Sequence, residues 1–282
     1  MYMTLCMDII LCVIFVYTGY WEARRVLARQ PRITLENALE QAHYLFILIP
    51  LSLIPMCLSL LLKGRRSILW HMPLWLQYNL TSINWGIILS IVIFLFALAS
   101  GLALHTHHHK RWRIIGSLFI VVISIQISQF LSIRPIAAHL TENLINDGII
   151  LQTTGVTCCA ASAANIARIF GIEKTEKEMA HLFGTTFQGT SVAQVVYGMR
   201  KLGFLCTMRD LHVPDPTLLR PPAMLFIDHP LTGPESHAVV YVGSLNGRAE
   251  IWDSVMGKRF FSENDLTFIW HCKAIEINIQ AP

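Results

Sequence analysis

Charged residues are scarce in this sequence. Asp, Glu, Lys and Arg together make up 14% of its 282 residues, whereas hydrophobic residues make up 54%. An ordinary soluble domain carries about 25% charged residues, so this composition excludes a chain that is soluble throughout. The shortage is concentrated in the first half, while the second half has the mixed composition of a globular domain.

Three further absences exclude classes of function. The sequence contains no Gly-x4-Gly-Lys-Ser/Thr stretch and therefore no P-loop for a nucleotide. Its seven cysteines follow no zinc-binding spacing, because the only close pair is Cys158-Cys159 and adjacent residues are poorly placed to ligate one tetrahedral ion. The basic residues form no stripe with interleaved aromatic residues, so the net charge of +4 does not indicate a nucleic-acid partner.

Long apolar runs fill the first half. They span residues 3–21, 44–62, 85–104 and 114–133. Each is close to the ~20 residues that a helix needs to cross a bilayer, and tryptophan or tyrosine flanks them, as is typical of membrane interfaces. The first run has neither a basic start nor a small-residue cleavage site, so we interpret it as an uncleaved span. The sequence therefore predicts a bundle of four transmembrane helices in residues 1–138.

Two other segments of this half receive simpler interpretations. The segment 67–78 is rich in tryptophan, but it is short and contains Pro73, so we expect it to lie in the membrane interface. The histidines within 105–109 have no nearby carboxylate or cysteine to complete a ligand shell, so we interpret them as part of a polar loop.

The charges of the connecting loops predict an orientation. The loops after the first and third runs carry seven Lys and Arg residues, against four after the second and fourth. Because short basic loops tend to stay in the cytoplasm, this bias places both termini, and with them the globular half, on the extracytoplasmic side.

The second half begins with helical signals. An alanine-rich helix is expected over residues 158–170, and Thr175 with Glu178 forms a capping box that opens a second helix. A third helix is expected to begin at Thr190 or Ser191. Alternating patterns typical of strands follow at 204–208, 223–227, 238–242, 249–252 and 274–279. Helices followed by antiparallel strands indicate an α+β domain over residues 139–282.

Four residues of this domain form a candidate active site. Cys158 is expected in the first turn of a helix, where the helix dipole favours a thiolate. His237 would begin one strand and Asp253 would end the next, and the turn signal at 246–247 brings these strand ends together if a bulge or small offset aligns them. The amide of Gln152, six residues before the cysteine, can donate to an oxyanion. Together they are the residue set of a thiol hydrolase.

These residues and their surroundings resemble a known family. The Gln152-x5-Cys158 spacing, the alanine-rich helix, the His-Ala-Val-Val-Tyr-Val-Gly segment at His237 and the Asp-Ser-Val-Met-Gly segment at Asp253 look like the bacteriocin-processing (double-glycine leader) cysteine peptidases of the papain-like superfamily. The resemblance covers about residues 150–270. It implies a papain-like domain in which Cys158 is the nucleophile and His237 the general base and then acid. In the same arrangement Asp253 orients the imidazole, Gln152 supplies the oxyanion hole, and no metal or organic cofactor is required.

The resemblance also implies a substrate, because these enzymes cut leader peptides after two small residues, usually two glycines. This sequence departs from the family pattern in two ways. Cys159 stands where the family usually has glycine, and we expect it to be a buried helix residue. Many relatives are fused to an export ATPase, whereas here a membrane part comes first and no ATPase sequence is present. A separate export transporter is therefore a candidate partner.

The sequence thus predicts a peptidase anchored in a bacterial inner membrane that cleaves a peptide or protein precursor. Three alternatives remain open: a non-cleaving module that binds a peptide for an export or assembly system, an acyl or amide transferase using the same thiol, and a functional membrane bundle regulated by the globular domain. His229, next to Asp228, is a rival for the general base, but it precedes a proline and no valine-rich strand follows it. Asp228 itself is expected in a turn.

Overall fold

The chain forms two compact units, residues 1–132 and 133–282. The computed structural model describes residues 2–29, 32–34, 37–38, 54, 70–141, 144–230 and 233–279. The first unit is helical, and the second combines helices with an antiparallel sheet. The prediction of an α+β arrangement with helices before the sheet is confirmed.

Long helices make up most of the described part of the first unit. They are α1 (Tyr2–Arg29), α2 (Leu74–Thr106) and α3 (Arg111–Ser132). Small residues bring α1 and α2 close together: a Cβ on Gly19 would lie 2.6 Å from the carbonyl oxygen of Phe94, and one on Gly101 would lie 2.5 Å from the Cβ of Ala23. Close backbone approach through small residues is typical of helices that pack within membranes.

Among the described residues, two helical stretches are long and apolar enough to cross a membrane. Leu89–Thr106 lies in α2 and overlaps the predicted span 85–104, and Arg111–Ser128 lies in α3 and overlaps the predicted span 114–133. The described residues therefore support two of the four predicted spans as candidates.

The structure describes one of the other two predicted spans and almost none of the second. The run 3–21 lies within α1, so it is helical, and its crossing of a bilayer stays a prediction. The run 44–62 lies almost wholly outside the described residues. The expected interfacial segment at 67–78 does not stand alone, because Pro73 is the N-cap of α2 and the residues from Leu74 onward form its first turns. Proline suits this place, since the first N–H groups of a helix have no partner within it.

The second unit contains the predicted helices. They are α4 (Cys158–Ile169), α5 (Glu176–Phe183) and α6 (Val192–Lys201), with the short α7 (Glu263–Ile269) later in the chain. The capping box of Thr175 and Glu178 opens α5, and a second capping box of Ser191 and Gln194 opens α6. Ser191, not Thr190, is thus the N-cap of the third predicted helix.

An antiparallel sheet follows the helices. The strands are β1 (Leu144–Asn146), β2 (Ile149–Leu151), β3 (Phe204–Asp210), β4 (Ala223–His229), β5 (Gly233–Leu245), β6 (Arg248–Asp253), β7 (Gly257–Ser262) and β8 (Trp270–Ile279). β1 and β2 form a separate hairpin, and the other six form one sheet in the order β3-β8-β4-β5-β6-β7. The five predicted strands correspond to β3, β4, β5, β6 and β8, each somewhat longer than predicted. The sequence does not predict β7, because two adjacent basic residues followed by two phenylalanines give no alternation.

A buried core fixes the strands that carry the candidate site. Val239 of β5 and Ile251 of β6 are fully buried in one hydrophobic cluster with Trp270. His237 and Asp253 lie two residues from these core positions along their strands. The strands that hold the candidate base and carboxylate are therefore anchored by packing.

Two buried polar side chains of α4 attach it to neighbouring strands. The Ser162 hydroxyl donates to the carbonyl of Ala238 in β5 at 2.9 Å. The Asn165 amide bonds both the N–H and the carbonyl of Ile150 in β2, each at 2.8 Å. These bonds fix the helix that begins at Cys158 between the strand that carries His237 and the strand that leads to Gln152.

Replacing Asn165 with alanine is expected to destabilise the second unit. Two buried backbone groups of Ile150 would lose their partners, and each such group costs about 1–3 kcal/mol, so we expect the free energy of unfolding to fall by about 2–6 kcal/mol. Chemical denaturation of the purified full-length protein in detergent measures the change. Asn146→Ala, which truncates an exposed asparagine of β1, is the matched control and should shift stability by less than about 0.5 kcal/mol.

Candidate active site

Cys158 is the first residue of α4. Its N-cap is the buried Thr157, whose hydroxyl donates to the carbonyl of Thr154 at 3.0 Å and closes the turn that precedes the helix. The unsatisfied N–H groups of a first helical turn and the helix dipole favour a negative charge there. Cys158 is 9% exposed, so a thiolate at this position is stabilised by the protein more than by water.

A bulge in β5 determines how the candidate base meets its carboxylate. Asn246 and Gly247 form the β5–β6 turn with φ values of 51° and 71°, the positive values that the preferred two-residue hairpin turn requires. Farther from the turn, the pairing shifts by one residue between Tyr241 and Gly243. The predicted need for a bulge or offset is confirmed.

The shift decides which face of the sheet Asp253 occupies. With the bulge, Asp253 lies opposite Val239; without it, Asp253 would lie opposite Val240. Because side chains alternate between the two faces, Val239 shares its face with His237 and Val240 does not. The carboxylate therefore reaches the imidazole, and the distance from His237 Nε2 to Asp253 Oδ1 is 2.9 Å.

The His237–Asp253 pair is shielded from water and held on both sides. Each residue is 5% exposed. Asp253 Oδ1 also accepts the backbone N–H of Val255 at 2.8 Å, which fixes the carboxylate. Because Nε2 of His237 bonds Asp253, the other ring nitrogen, Nδ1, makes the hydrogen bond to Cys158. His237 lies inside β5, not at its start as predicted, because β5 begins at Gly233.

The surroundings of Cys158 favour a thiolate. A hydrogen bond from Cys159 holds the pKa of the Cys158 thiol well below its ordinary value, against the opposing effect of burial. A hydrogen bond from His237 and its positive charge lower this pKa further, as does a backbone hydrogen bond from Ala238. A lowered thiol pKa is what makes a cysteine a nucleophile near neutral pH.

His237 is correspondingly held in its protonated form. Burial disfavours the charged ring, but hydrogen bonds to Asp253 and Cys158, with the negative charges of both, raise the pKa of His237 from 6.5 to about 9. Burial alone would raise the pKa of Asp253, yet the hydrogen bonds from His237 and from the Val255 N–H hold it below its ordinary value. The resulting state is a thiolate–imidazolium pair backed by a carboxylate.

Gln152 follows β2 directly and lies beside the residue after Asp253. Its backbone N–H donates to the carbonyl of Ser254 at 2.8 Å, and its side-chain Oε1 accepts the Ser254 hydroxyl at 2.8 Å. Its Nε2 donates to the carbonyl of Thr154 at 3.0 Å. The amide is thus held in the turn that leads to Cys158.

Sequence reasoning missed two residues that hold this turn. Ser254 bonds Gln152 across 102 positions of sequence. Glu176, the first residue of α5, is buried and accepts both the N–H and the hydroxyl of Thr153, at 2.9 and 2.8 Å. No local pattern pairs residues this far apart. The only available signals are that Ser254 directly follows Asp253 and that Glu176 occupies a capped helix start.

The other residues singled out from the sequence lie near the site. Cys159 is buried, as predicted, and its sulfur lies 3.9 Å from the carbonyl oxygen of Thr190. The ring of His229 lies 5.5 Å from that of His237. Asp228 belongs to β4, not to a turn as expected, and its Oδ2 lies 2.9 Å from Nε2 of His271. Asp253 therefore pairs with His237, and the carboxylate next to His229 pairs with a different histidine.

The described residues include no metal-binding cluster. Within residues 2–29, 32–34, 37–38, 54, 70–141, 144–230 and 233–279, no three His, Cys, Asp or Glu side chains group so as to hold a metal ion. The rings of His107 and His109 lie 6.1 Å apart, edge to face.

Comparisons with known proteins agree on the C-terminal half. Residues 146–281 match the Peptidase C39 family. The fold is similar to the peptidase domain of Streptococcus ComA, a bi-functional ABC transporter involved in a quorum sensing pathway, at 24% identity and a TM-score of 0.41, covering 46% of this chain and 96% of that one. It is also similar to a double glycine motif protease from an AMS/PCAT transporter in complex with the leader peptide, at 14% identity and a TM-score of 0.43, covering 50% of this chain and 100% of that one.

A third similar structure is the peptidase domain of Streptococcus mutans ComA, at 22% identity and a TM-score of 0.34, covering 47% of this chain and 97% of that one. No curated protein gives a significant match. The identification rests on the family match over residues 146–281, which include every residue of the candidate site. The C-terminal domain, over residues 146–281, thus matches the Peptidase C39 family, which supports a cysteine peptidase.

Proposed function

We propose that the chain is a membrane-anchored peptidase that hydrolyses a peptide bond in a peptide or protein precursor, after small residues such as Gly-Gly. The observation that carries the proposal is the buried His237–Asp253 pair at 2.9 Å, whose imidazole bonds the thiol of Cys158 at a helix start. With Gln152 these three residues form the proposed catalytic set.

The proposed reaction follows from the charges of the site. The Cys158 thiolate attacks the carbonyl carbon, and the carbonyl electron pair moves onto oxygen, where the Gln152 amide and a backbone N–H near Cys158 donate hydrogen bonds. The Nδ1–H of His237 passes its proton to the leaving amine as the C–N bond breaks. The neutral ring then takes a proton from water, which attacks the thioester and releases the acid and the thiolate.

Asp253 supports both proton transfers in this mechanism. Its Oδ1 bonds Nε2 of His237 at 2.9 Å, which keeps Nδ1 directed at the thiol and stabilises the imidazolium. The Val255 N–H fixes the carboxylate in turn. No metal or organic cofactor is required for any of these steps.

Membrane anchoring is the second part of the proposal. We assign residues 1–138 to a membrane domain and 139–282 to the peptidase domain. The helix α3 supports the assignment, because Trp112, Phe119 and Ile120 on its surface are strongly exposed, and apolar surface of this kind is unusual on a soluble protein. The lipid bilayer and a separate export transporter are the proposed partners, in a bacterial inner membrane.

The excess of basic residues in the loops after the first and third runs supports an extracytoplasmic peptidase domain. Reporter fusions after Leu140 test this side assignment. An enzyme reporter that is active only in the periplasm should be active at this point, and one that is active only in the cytoplasm should be silent. The opposite result would place the peptidase domain in the cytoplasm, where it would meet its substrate before export.

Peptide cleavage by the full-length protein in detergent tests the activity. One synthetic peptide carries Gly-Gly before the cut, and a matched peptide carries Leu-Leu. Mass spectrometry should show cleavage after the second glycine of the first peptide only. Absence of hydrolysis without an added amine acceptor, with an amide product once the acceptor is present, would indicate a transferase. Binding of the peptide without any product would indicate a binding module.

The activity should depend on pH through the ion pair. Cys158 is a thiolate above its lowered pKa, and His237 keeps its proton below about 9. We therefore expect kcat/KM to be high through the neutral range and to fall as the pH rises through about 9. Asp253→Asn removes a negative charge that raises the pKa of His237, so the alkaline limb should move to lower pH. An alkaline limb that does not move in this variant contradicts the assignment of Asp253.

A further inference from the structure

The Gln152 amide has two different ends, and only one of them can serve an oxyanion. Its NH₂ group donates hydrogen bonds, whereas its oxygen only accepts them. An oxyanion needs donors, so the amide must present Nε2 to the cleft and turn Oε1 away from it. The proposed role of Gln152 therefore requires a fixed orientation of the amide plane.

Two contacts fix that orientation. The carbonyl of Thr154 only accepts hydrogen bonds, so the amide atom 3.0 Å from it is the Nε2 donor. The opposite end, Oε1, accepts the Ser254 hydroxyl at 2.8 Å. One N–H of Nε2 is used on Thr154, and the second N–H remains for an oxyanion.

Both the side chain and the backbone of Ser254 contact Gln152. Its side chain is fully buried, and its own carbonyl accepts the backbone N–H of Gln152 at 2.8 Å. The residue directly before it is Asp253, the carboxylate bonded to His237. The same short segment thus holds the carboxylate behind the base and the residue that orients the oxyanion donor.

Other side chains also hold the turn. Glu176 accepts the N–H and the hydroxyl of Thr153 at 2.9 and 2.8 Å, and the hydroxyls of Thr154 and Thr157 lie 3.0 Å apart. The backbone from Gln152 to Cys158 is therefore fixed by contacts that do not involve the Ser254 side chain. Removal of that hydroxyl therefore takes away one of the two bonds that orient the Gln152 amide, while the turn stays in place.

We infer that Ser254 is a positioning residue for the peptidase reaction, which orients the Gln152 amide so that Nε2 meets the oxyanion. The inference rests on the proposed function and on the role of Gln152 within it. Ser254 acts on the transition state through Gln152, and it has no part in forming the thiolate.

Two reactions of Cys158 separate this role from a general structural one. Peptide hydrolysis passes through an oxyanion, whereas alkylation of the thiolate by iodoacetamide displaces iodide and forms no oxyanion. Both reactions need the folded site and the Cys158–His237 pair. A variant that only loses the oxyanion donor is therefore slow in hydrolysis and normal in alkylation.

The experiment compares Ser254→Ala, Ser254→Thr, Gln152→Ala and the double variant Ser254→Ala/Gln152→Ala in full-length protein in detergent. Loss of one oxyanion donor typically lowers kcat by about 10²–10³-fold, the result expected for Gln152→Ala. Ser254→Ala should lower kcat by about 10–10²-fold with little change in KM, because part of the amide population still points correctly. Ser254→Thr keeps the hydroxyl and should recover most of the rate.

The decisive results are the alkylation rate and the double variant. Alkylation of Cys158 in Ser254→Ala should stay within about twofold of wild type, and the double variant should be no slower in hydrolysis than Gln152→Ala, because both changes remove one interaction. Equal losses in hydrolysis and alkylation, or losses that multiply in the double variant, would overturn the inference.

The same set distinguishes failure of the inference from failure of the function. A wild-type protein that cleaves no peptide overturns the proposed function and the inference with it. A wild type that cleaves, with a Gln152→Ala variant that cleaves equally well, removes the role of Gln152. If Gln152→Ala lowers kcat but Ser254→Ala leaves it unchanged, the peptidase activity and the role of Gln152 are retained. The inferred role of Ser254 is then wrong.

Discussion

Replacing Cys158 with alanine is expected to reduce peptide cleavage to background, a loss of about 10⁶-fold if this thiol is the nucleophile, as for loss of a nucleophile in other triad hydrolases. The variant keeps the oxyanion donors and the His237–Asp253 pair, so peptide binding should survive while the covalent step is lost. Initial rates on the Gly-Gly peptide, together with binding of the same peptide by fluorescence anisotropy, measure the two effects separately.

Cys159→Ala is the matched control, because it removes an adjacent thiol from the same helix turn. Cys159 contributes a hydrogen bond that lowers the pKa of Cys158, and one such bond contributes about 0.5–1.5 kcal/mol. We therefore expect a loss of at most about tenfold and an acid limb displaced to higher pH. Comparable loss of cleavage in both variants, or retained cleavage in Cys158→Ala, would contradict the assignment of the nucleophile.

Local signals in the sequence predict the elements that carry the nucleophile and the turn. The capping boxes at Thr175 and Ser191, and the paired positive φ values at 246–247, are decided by residues within four positions of one another. The start of α4 at Cys158 is likewise found from the sequence. Such features are predictable because their energetics are local.

The alignment of the two strands could be anticipated only in part. The unequal lengths of the segments on either side of 246–247 indicate a bulge, but its place between Tyr241 and Gly243 depends on how β5 packs against β4 as well as β6. A shift of one residue at this point would move the Asp253 carboxylate to the other face. The hydrogen bond of the candidate base thus depends on tertiary pairing.

Contacts between segments that are far apart in sequence cannot be predicted from local sequence patterns. The order of the sheet places β8 between β3 and β4, and nothing local specifies this arrangement. Ser254 and Glu176 hold neighbouring residues of the turn, Gln152 and Thr153. In the sequence, Ser254 is an ordinary turn residue and Glu176 an ordinary helix start. Their roles are evident only from their contacts in the structure.

Two histidines near the thiol allow the assignment of the base to be tested within one protein. The rings of His229 and His237 lie 5.5 Å apart, so both are close enough to the site to influence it electrostatically. His237 is bonded to Asp253, and its hydrogen bonds to Asp253 and Cys158, with the negative charges of both, raise its pKa to about 9. His237→Ala should therefore lower kcat/KM by about 10⁴–10⁶-fold, whereas His229→Ala should lower it by no more than about threefold, a difference that peptide hydrolysis rates measure directly.

The pH dependence of Cys158 alkylation tests the reason for this difference between the two variants. Loss of His237 removes the hydrogen bond and the positive charge that help to keep Cys158 ionised, so the pH midpoint of iodoacetamide labelling should rise towards that of an ordinary thiol, about 8.5. His229→Ala should leave the midpoint near that of wild type. If His229→Ala instead shifts labelling and abolishes cleavage while His237→Ala does neither, His229 is the base. The Asp253 pair would then be a structural contact of the sheet, because a carboxylate that orients no reacting imidazole has no part in proton transfer.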